Sequence, residues 1–411
     1  MKIQGIRALV VGMEKSGRAA AEFLRARGAD VTATDLKPHD VPNFRLQTRA
    51  LFDEPWDLKL LSPGVPADLP GAEGAIGEVE LAASFLQGPV IGITGTNGKT
   101  TTTSLVGHIL QRAGVPVQVG GNIGTPVIAM VDASRAEQWN VLELSSFQLE
   151  TIRTFRAHVG VCLNVTQNHL DRHYTFERYA AAKGNLFRTQ QTGDYAVLNV
   201  DDEVCRSFEA LTPGTAVWFG GKEEPVLPVA EIPIPGRHNV ENALAASAAA
   251  RLAGVSDRDI AAALKTFKAV EHRLEFVAEI GGVKFYNDSK ATSVDATIKA
   301  LDSFEENLWV IMGGKDKGSD YTVLRDRLQS KARAVLLIGA AAEKIAGQLE
   351  GAVKLIPAET LDCAVAEAWS GARPGDTVLL APACASFDQF QSYEQRGRVF
   401  KELVGGLKIN G

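Results

Sequence analysis

Cysteine is scarce in this chain and follows no disulfide or metal-binding pattern. The 411 residues include four cysteines, at positions 162, 205, 363 and 384, and none belongs to a CxxC pair. Dense or closely paired cysteines are typical of secreted disulfide frameworks and of zinc sites. We therefore expect reduced thiols and a cytosolic protein.

A basic excess and long apolar runs are also missing. The formal net charge is −6, so the chain has no general attraction for nucleic acid or for an anionic membrane. No stretch reaches the roughly 18 uninterrupted apolar residues of a membrane-spanning helix, and the first residues begin no apolar leader. We expect no nucleic-acid partner and no membrane insertion.

The clearest motif is a glycine- and threonine-rich loop, which reads Gly-Ile-Thr-Gly-Thr-Asn-Gly-Lys-Thr from 92 to 100. It lies between a short apolar run typical of a buried strand and a segment with apolar residues at helical spacing. Such a loop favours phosphate, because glycines allow close backbone approach and the helix N-terminus attracts negative charge. Its spacing departs from the ordinary Walker loop, since the outer glycine lies one residue too far away, and a purely structural turn is the alternative. The predicted ATP contacts here are Gly95, Thr96, Asn97, Gly98, Lys99, Thr100 and Thr101.

Polar residues follow several later strands of the same section. Glu143 ends one apolar run, His169 follows another, and Lys183 lies on a predicted helix at 176–187. Because parallel strands end at one edge of a sheet, a carboxylate and an imidazole there could hold Mg²⁺ against phosphates. Taken singly, a surface carboxylate, a hydrogen-bonded loop histidine and an exposed helix lysine remain the alternatives.

The chain before this loop resembles half of a nucleotide-binding Rossmann unit. A strand, a turn with Gly12 and Gly17, a helix and then Asp35 follow in order. The glycine fingerprint is incomplete, so a tight turn in any α/β domain is an equal alternative. Ser62, Pro63 and Gly64 close a further strand at the edge where open α/β sheets place ligands.

Alternating strands and helices continue to the end of the chain and predict an α/β protein of three domains. The boundaries are expected at 1–88 for a Rossmann-like domain, 89–270 for a P-loop ATPase-type parallel sheet, and 271–411 for a doubly wound Rossmann-like sheet. The third begins with a hairpin turned at Gly281 and Gly282. Several short strands are expected between 211 and 235.

Together these motifs resemble the Mur ligases, ATP-dependent amide-bond formers of peptidoglycan precursor synthesis. The resemblance covers nearly the whole chain and includes the unusual phosphate-loop spacing. The runs at 143–150, 287–292 and 381–390 are similar to the D-glutamate-adding branch. The resemblance implies D-glutamate, UDP-N-acetylmuramoyl-L-alanine and ATP as substrates, a cytoplasmic monomer, and a role in cell-wall biogenesis, cell shape and division.

The resemblance also assigns site residues. For ATP it adds Asn239, Asn242, Arg273, Asp288 and Lys290 to the phosphate loop. For the UDP-linked substrate it gives Asp35, Lys37, Ser62, Pro63, Gly64 and Asn122. For D-glutamate it gives Thr292, Lys317, Ser386, Phe387 and Tyr393. For magnesium, with two ions expected, it gives Thr100, Glu143, His169 and, if carbamylated, Lys183.

The implied catalytic residues are Lys99, Glu143, His169 and Lys183. The γ-phosphoryl group would pass to the alanyl carboxylate, and the amine of D-glutamate would then attack the acyl phosphate. A folylpolyglutamate synthase or a Mur ligase for diaminopimelate or lysine is the nearest alternative. A nucleotide-binding regulator or a Rossmann oxidoreductase is the alternative from a different class.

Overall fold

Three β-sheets, each built mainly of parallel strands, follow one another along the chain. The computed structural model describes residues 1–234, 236–268 and 271–407, and its contacts form two compact units. The first unit is Met1–Glu231 with Val240–Thr266, and the second is Ile232–Asn239 with Phe267–Gly411. The α/β prediction is confirmed. The domain boundaries at 88 and 270 stay a prediction, and Val270 itself lies outside the described residues.

The first sheet contains five parallel strands in the order β3-β2-β1-β4-β5. Its strands and helices are β1 (Arg7–Val11), α1 (Lys15–Ala26), β2 (Asp30–Asp35), β3 (Phe44–Leu46), α2 (Arg49–Phe52), β4 (Leu58–Leu61), β5 (Ile76–Gly77) and α3 (Glu78–Ala83). The apolar run of β1 is buried because neighbouring strands pair with it on both sides.

The second sheet contains six parallel strands in the order β11-β10-β9-β6-β8-β7. Its strands are β6 (Val90–Thr94), β7 (Val117–Gly121), β8 (Trp139–Glu143), β9 (Val159–Cys162), β10 (Tyr195–Asn199) and β11 (Thr215–Phe219). The helices of this part are α4 (Lys99–Arg112), α5 (Val127–Met130), α6 (Ser146–Leu149), α7 (Leu170–His173), α8 (Phe176–Arg188), α9 (Glu203–Ser207), α10 (Arg237–Leu252) and α11 (Asp257–Lys265).

The expectation of several short strands between 211 and 235 was wrong. The described part of that segment holds one strand, β11, and a short 3₁₀ turn at Val229–Glu231. Pro235 lies outside the described residues. Proline removes a backbone donor, and this segment is proline-rich, so only its first part pairs into the sheet.

One hydrophobic core joins the first two sheets. It includes Leu60 from β4, Val79 from α3 and Ile128 from α5, all of them buried. Burial of such side chains from both sections explains why these sheets form a single unit. All four cysteines are free, as expected.

The third sheet contains six strands in the order β12-β13-β17-β14-β15-β16. Its elements are β12 (Glu275–Ile280), β13 (Val283–Asn287), α12 (Val294–Asp302), β14 (Leu308–Gly313), α13 (Arg325–Lys331), β15 (Ala332–Ile338), α14 (Ala342–Leu349), β16 (Leu355–Glu359), α15 (Leu361–Gly371), β17 (Thr377–Leu380) and α16 (Tyr393–Gly405). Only the hairpin partner β12 runs antiparallel, through Gly281 and Gly282 at φ +55° and +78°. Over the described part of the chain, no helix combines the length and the apolar character needed to cross a membrane.

Candidate active site

The phosphate-loop sequence forms a tight turn between β6 and α4. Gly95 and Gly98 have φ values of +150° and +82°, which L side chains rarely adopt. The backbone N–H of Thr96 donates to the carbonyl of Asn164 at 2.8 Å, and the N–H of Asn97 donates to its side chain at 2.9 Å. The loop is therefore fixed against the end of the adjacent strand β9, and α4 begins with Lys99 directly behind it.

A side chain at Gly98 would have to displace Asn242. A Cβ there would lie 2.2 Å from the side-chain oxygen of Asn242, which is itself buried. The Thr102 hydroxyl donates to the same oxygen at 3.3 Å. The structure thus places Asn242, a predicted ATP contact, beside the turn.

Thr100, Glu143 and Asn122 are joined by two hydrogen bonds. The Thr100 hydroxyl donates to Glu143 Oε2 at 2.7 Å, and the Asn122 amide donates to Glu143 Oε1 at 2.8 Å. Glu143 is only 2% exposed. Strand β8 pairs with both β6 and β7, and this pairing brings the three residues together from distant parts of the sequence.

Lys183 is buried beneath the phosphate loop. Its amine donates to the Gly95 carbonyl at 2.7 Å and lies 4.6 Å from the centre of the Tyr179 ring. Burial, and then the neighbouring charge of Lys99, lower the pKa of Lys183 from 10.5 to about 7. A surface lysine, the alternative left open by the sequence, is excluded.

His169 directly precedes α7 in a left-handed conformation, with φ at +53°. Its ring packs edge-on against Phe147, with centroids 4.9 Å apart. Burial lowers the pKa of His169; Asp171 opposes this, while Lys99 and Lys183 lower it further. The neutral imidazole, the form that binds metals, is therefore favoured.

The described residues contain no group of three or more His, Cys, Asp and Glu side chains placed to hold a metal ion. The carboxylates and imidazoles of the described residues therefore do not by themselves form a full set of metal ligands. The roles of Glu143 and His169 as magnesium ligands remain a prediction, which would require the Thr100 hydroxyl, ligand phosphates or a modified Lys183 as further donors.

Asp35 fixes the first glycine turn. Its carboxylate accepts the backbone N–H of Met13 at 2.7 Å and that of Lys37 at 3.4 Å, and lies 3.3 Å from the His39 ring. Burial would raise the pKa of Asp35, but the hydrogen bonds from these backbone groups outweigh it and lower the pKa. Lys15, which the sequence analysis missed, donates to the Gly124 carbonyl beside Asn122.

Ser62, Pro63 and Gly64 follow β4, as expected, and the carbonyls of Gly64 and Val65 accept hydrogen bonds from Arg172. Tyr179 was also missed, although its hydroxyl donates to Thr96 Oγ1 at 3.0 Å. Neither Lys15 nor Tyr179 carries a local sequence signal, because each contacts a loop that is distant in the sequence.

In the second unit, Asp288 directly follows β13 and is buried. Burial raises its pKa from 3.8 to about 7, while Arg273, the N–H of Leu274 and Lys290 act in the opposite direction. Asn239 is buried in the first turn of α10. Four of the predicted ATP contacts therefore belong to this unit: Asn239, Arg273, Asp288 and Lys290.

The residues predicted to hold D-glutamate also belong to the second unit. The Lys317 amine donates to the Thr292 carbonyl at 3.3 Å, and Ser386 is buried while Phe387 is exposed. A bridge between Lys315 and Ala385 joins the loops that follow β14 and β17. Tyr393 begins α16, and its carbonyl accepts the Ser289 hydroxyl at 2.8 Å.

Comparison with known proteins identifies two family domains and several similar structures. The Mur ligase middle domain matches residues 93–227, and the Mur ligase, glutamate ligase domain matches residues 272–384. Among solved structures, a UDP-N-acetylmuramate-alanine ligase from Thermotoga maritima is 19% identical, with a TM-score of 0.62 over 98% of this chain and 100% of its own. A pseudomurein peptide ligase type C from Methanothermus fervidus is 20% identical, with a TM-score of 0.59 over the same shares. These two likenesses show the fold.

Curated relatives are far more similar. A protein of Solibacter usitatus named UDP-N-acetylmuramoylalanine--D-glutamate ligase is 62% identical over 99% of both chains. Proteins with the same name from Acidobacterium capsulatum and Koribacter versatilis are 52% and 49% identical, each over 98% of this chain, and over 97% and 98% of their own. With this identity along nearly its whole length, the chain belongs to the Mur ligase family.

Proposed function

We propose that this chain is the ATP-dependent ligase that joins D-glutamate to UDP-N-acetylmuramoyl-L-alanine, with release of ADP and phosphate. The shared name of relatives 49–62% identical over nearly the whole chain supports this substrate pair. The product is a precursor of peptidoglycan, so the protein serves cell-wall biogenesis, and through it cell shape and division, in the cytoplasm as a monomer.

One observation carries the chemistry: two lysines, a threonine hydroxyl and a carboxylate surround the phosphate loop. Lys99 and Lys183 donate to Gly95, and Thr100 donates to Glu143. The loop N–H groups and the Lys99 ammonium suit the phosphates of ATP, whose charge grows at the transferred group. Asn242, which lies beside Gly98, is a further proposed ATP contact.

The donors present suit Mg²⁺, which prefers oxygen ligands and binds with few protein groups when phosphates supply the rest. Thr100 and Glu143 would hold one ion, and Glu143, His169 and a carbamylated Lys183 a second. When bound, magnesium neutralises charge on the phosphates. The buried hydrogen bond between Thr100 and Glu143 supports this assignment, because it orients both oxygens at the loop.

Carbamylation of Lys183 would convert a cation into an oxygen donor. The uncharged amine attacks CO₂, a nitrogen–carbon bond forms, and the amine proton leaves to solvent, which gives a carbamate anion. Burial and the neighbouring Lys99 favour the uncharged amine that this step needs. ¹³C NMR of protein held in labelled bicarbonate should show a carbamate signal that Lys183→Arg abolishes; equal signals in both proteins would contradict the modification.

In the reaction, an oxygen of the alanyl carboxylate forms a bond to the γ-phosphorus, and the bond from that phosphorus to the ADP oxygen breaks. The amine of D-glutamate then attacks the acyl carbon, and phosphate leaves as the amide forms. Lys99 stabilises charge in the first step. Asp35, Lys37, Ser62, Pro63, Gly64 and Asn122 hold the UDP-linked substrate.

The second unit supplies the residues for the incoming amino acid. Lys317 offers a cation for a glutamate carboxylate, Thr292 and Ser386 offer hydroxyls, and Phe387 and Tyr393 offer aromatic rings. Orientation of the amine toward the acyl carbon accounts for several kcal/mol of barrier reduction in such reactions. The remaining ATP contacts are Asn239, Arg273, Asp288 and Lys290. We assign 1–88 to the UDP substrate, 89–270 to ATP and 271–411 to the amino acid.

The test is a reconstituted assay with ATP, Mg²⁺, UDP-N-acetylmuramoyl-L-alanine and either glutamate enantiomer. We expect ADP release and a ligated product, identified by mass spectrometry, with D-glutamate alone. Turnover with diaminopimelate, lysine or a folate acceptor instead would replace the proposed substrate. ATP binding without amino-acid-dependent turnover would indicate a regulator.

A further inference from the structure

Arg172, on α7, reaches across to the loop that follows β4. Its guanidinium donates to the Gly64 carbonyl at 3.3 Å and to the Val65 carbonyl at 2.8 Å. It also donates to Glu150 at 2.7 Å, and its side chain is 11% exposed. One largely buried cation therefore contacts both a loop of the first sheet and a carboxylate from the part of the chain that forms the second sheet.

These contacts continue toward the phosphate loop. The second oxygen of Glu150 lies 3.0 Å from His173 Nδ1, and the other ring nitrogen of His173 lies 3.0 Å from the Ser146 hydroxyl. The His173 ring packs against Tyr179, with centroids 5.3 Å apart. The Tyr179 hydroxyl donates to Thr96 Oγ1 within the phosphate loop.

A second set of contacts runs through Phe147. The Arg172 guanidinium lies 4.9 Å from the centre of this ring, which packs edge-on against His169 and stacks on His173. Arg172 is thus linked by packed side chains both to His169 and to Thr96. No other role so far assigned to the site uses Arg172, Glu150 or His173.

We propose that Arg172 is a positioning residue, which fixes the loop at 62–65 in register with His169 and the phosphate loop. The inference rests on the proposed function, because that loop is assigned there to the UDP-linked substrate. The consequence is that the substrate's carboxylate is aligned with the transferred phosphoryl group. Arginine suits this task because its planar fork donates in several fixed directions, which the single ammonium of lysine does not.

Arg153 provides a matched control. Its guanidinium donates to the Ala75 carbonyl at 3.0 Å. Arg153 therefore also joins the part of the chain that forms the second sheet to the part that forms the first sheet. Unlike the side chain of Arg172, that of Arg153 forms no hydrogen bond, ion pair or ring contact with Phe147, Glu150 or His173 within the described part of the chain, and Arg153 is exposed. Loss of Arg153 removes one arginine–carbonyl hydrogen bond of the same kind without touching the path to the phosphate loop.

The experiment compares Arg172→Gln, Arg172→Lys and Arg153→Gln by steady-state kinetics and thermal unfolding. Loss of partly buried charge-assisted hydrogen bonds predicts a KM for UDP-N-acetylmuramoyl-L-alanine raised about tenfold or more in both Arg172 variants. Misalignment predicts more ADP released per amide formed. The KM for ATP should change by less than about twofold, because the loop N–H groups remain.

A purely structural role would lower the unfolding temperature and the active fraction but leave the KM for the UDP-linked substrate and the ADP-to-product ratio at wild-type values. That result, or equal KM changes in Arg153→Gln, would overturn the proposal. If Arg172→Gln does not fold, Glu150→Gln tests the same path and should raise the same KM. Absence of ligation by the wild-type protein would instead refute the proposed function itself.

Discussion

Lys99 and Lys183 donate hydrogen bonds to one acceptor, the carbonyl oxygen of Gly95, at 2.9 and 2.7 Å. Two ammonium groups on one carbonyl repel each other, and this repulsion adds to burial in lowering the pKa of Lys183. Anionic phosphate at the loop, or conversion of Lys183 to a carbamate, would relieve that repulsion. The two lysines therefore create a local excess of positive charge, which an anionic group at the phosphate loop would balance.

Replacement of Lys99 by alanine should reduce kcat by about a hundredfold or more, because the charge that stabilises the transferred phosphoryl group is lost. The removal of this neighbouring cation should also raise the pKa of Lys183. Both effects can be measured, the first by ADP release and the second by the pH dependence of amine modification. Wild-type kcat in Lys99→Ala would contradict the assignment of the phosphate loop.

Gly98→Ala should abolish ATP binding while Gly114→Ala should not. The new Cβ at Gly98 would meet the Asn242 oxygen at 2.2 Å, whereas none of the neighbouring atoms lies within 4 Å of a Cβ at Gly114. Both glycines have positive φ, +82° and +75°, so backbone strain is matched and the steric clash differs. Isothermal titration with ATP and Mg²⁺ would measure the contrast, and equal affinities in the two variants would refute it.

Glu143→Gln should lower kcat by about a hundredfold and raise the Mg²⁺ concentration needed for half-maximal rate. The glutamine oxygen can still accept from the Asn122 amide, and the glutamine NH2 can donate to the Thr100 hydroxyl, which reverses that hydrogen bond, but the anionic oxygen is lost. Magnesium titration of the steady-state rate provides the measurement, with Thr100→Ser, which keeps a hydroxyl, as the control. An unchanged magnesium requirement would place the ion elsewhere.

Glu78→Gln should stabilise the protein at pH 8 but not at pH 5. Burial raises the pKa of Glu78 from 4.5 to about 7, although the N–H groups of Ile128 and Val127 oppose it. The folded state therefore binds more protons than the unfolded chain between these values, and stability falls as pH rises through this window. The wild-type protein should lose about 3 kcal/mol of unfolding free energy at most across this pH window because of Glu78.

Urea unfolding at the two pH values measures this difference. Glu80→Gln, on the same helix α3, serves as the control: its carboxylate accepts the backbone N–H groups of Arg153, Thr154 and Phe155, so this change should destabilise the protein at pH 8. A Glu78→Gln variant less stable than wild type at pH 8 would show that the buried carboxylate is not a cost to folding.

Lys317→Met should raise the KM for D-glutamate about tenfold or more, because a carboxylate of the substrate loses its cationic partner. The KM for ATP should change little. Lys284→Met, at an exposed position of β13, is the control for loss of a lysine from the same unit. Steady-state kinetics with varied D-glutamate gives both constants. Equal values in the two variants would remove Lys317 from the amino-acid site.

Neighbouring residues specified most of the elements and the local chemistry, though not the strands expected between 211 and 235. Apolar runs bounded by glycines specified β1, β6 and the hairpin of β12 and β13, because burial and turn geometry depend on neighbouring residues. The phosphate loop could be recognised from the sequence because its glycines, Lys99 and Thr100 lie within nine consecutive residues. The exact bounds of the strands have no such local signal: β16 begins at Leu355, where its pairing with β15 sets the register.

Contacts between residues far apart in the sequence depend on the strand order of the folded chain. Strand order places β6 beside β8 and β9, and this adjacency brings Glu143 to Thr100 and Asn164 to the phosphate loop. The burial of Lys183, the link from Arg172 to Gly64 and Val65, and the unpaired oxygen of Glu78 have no local sequence signal. Each depends on desolvation and hydrogen bonding between segments that only the folded chain brings together.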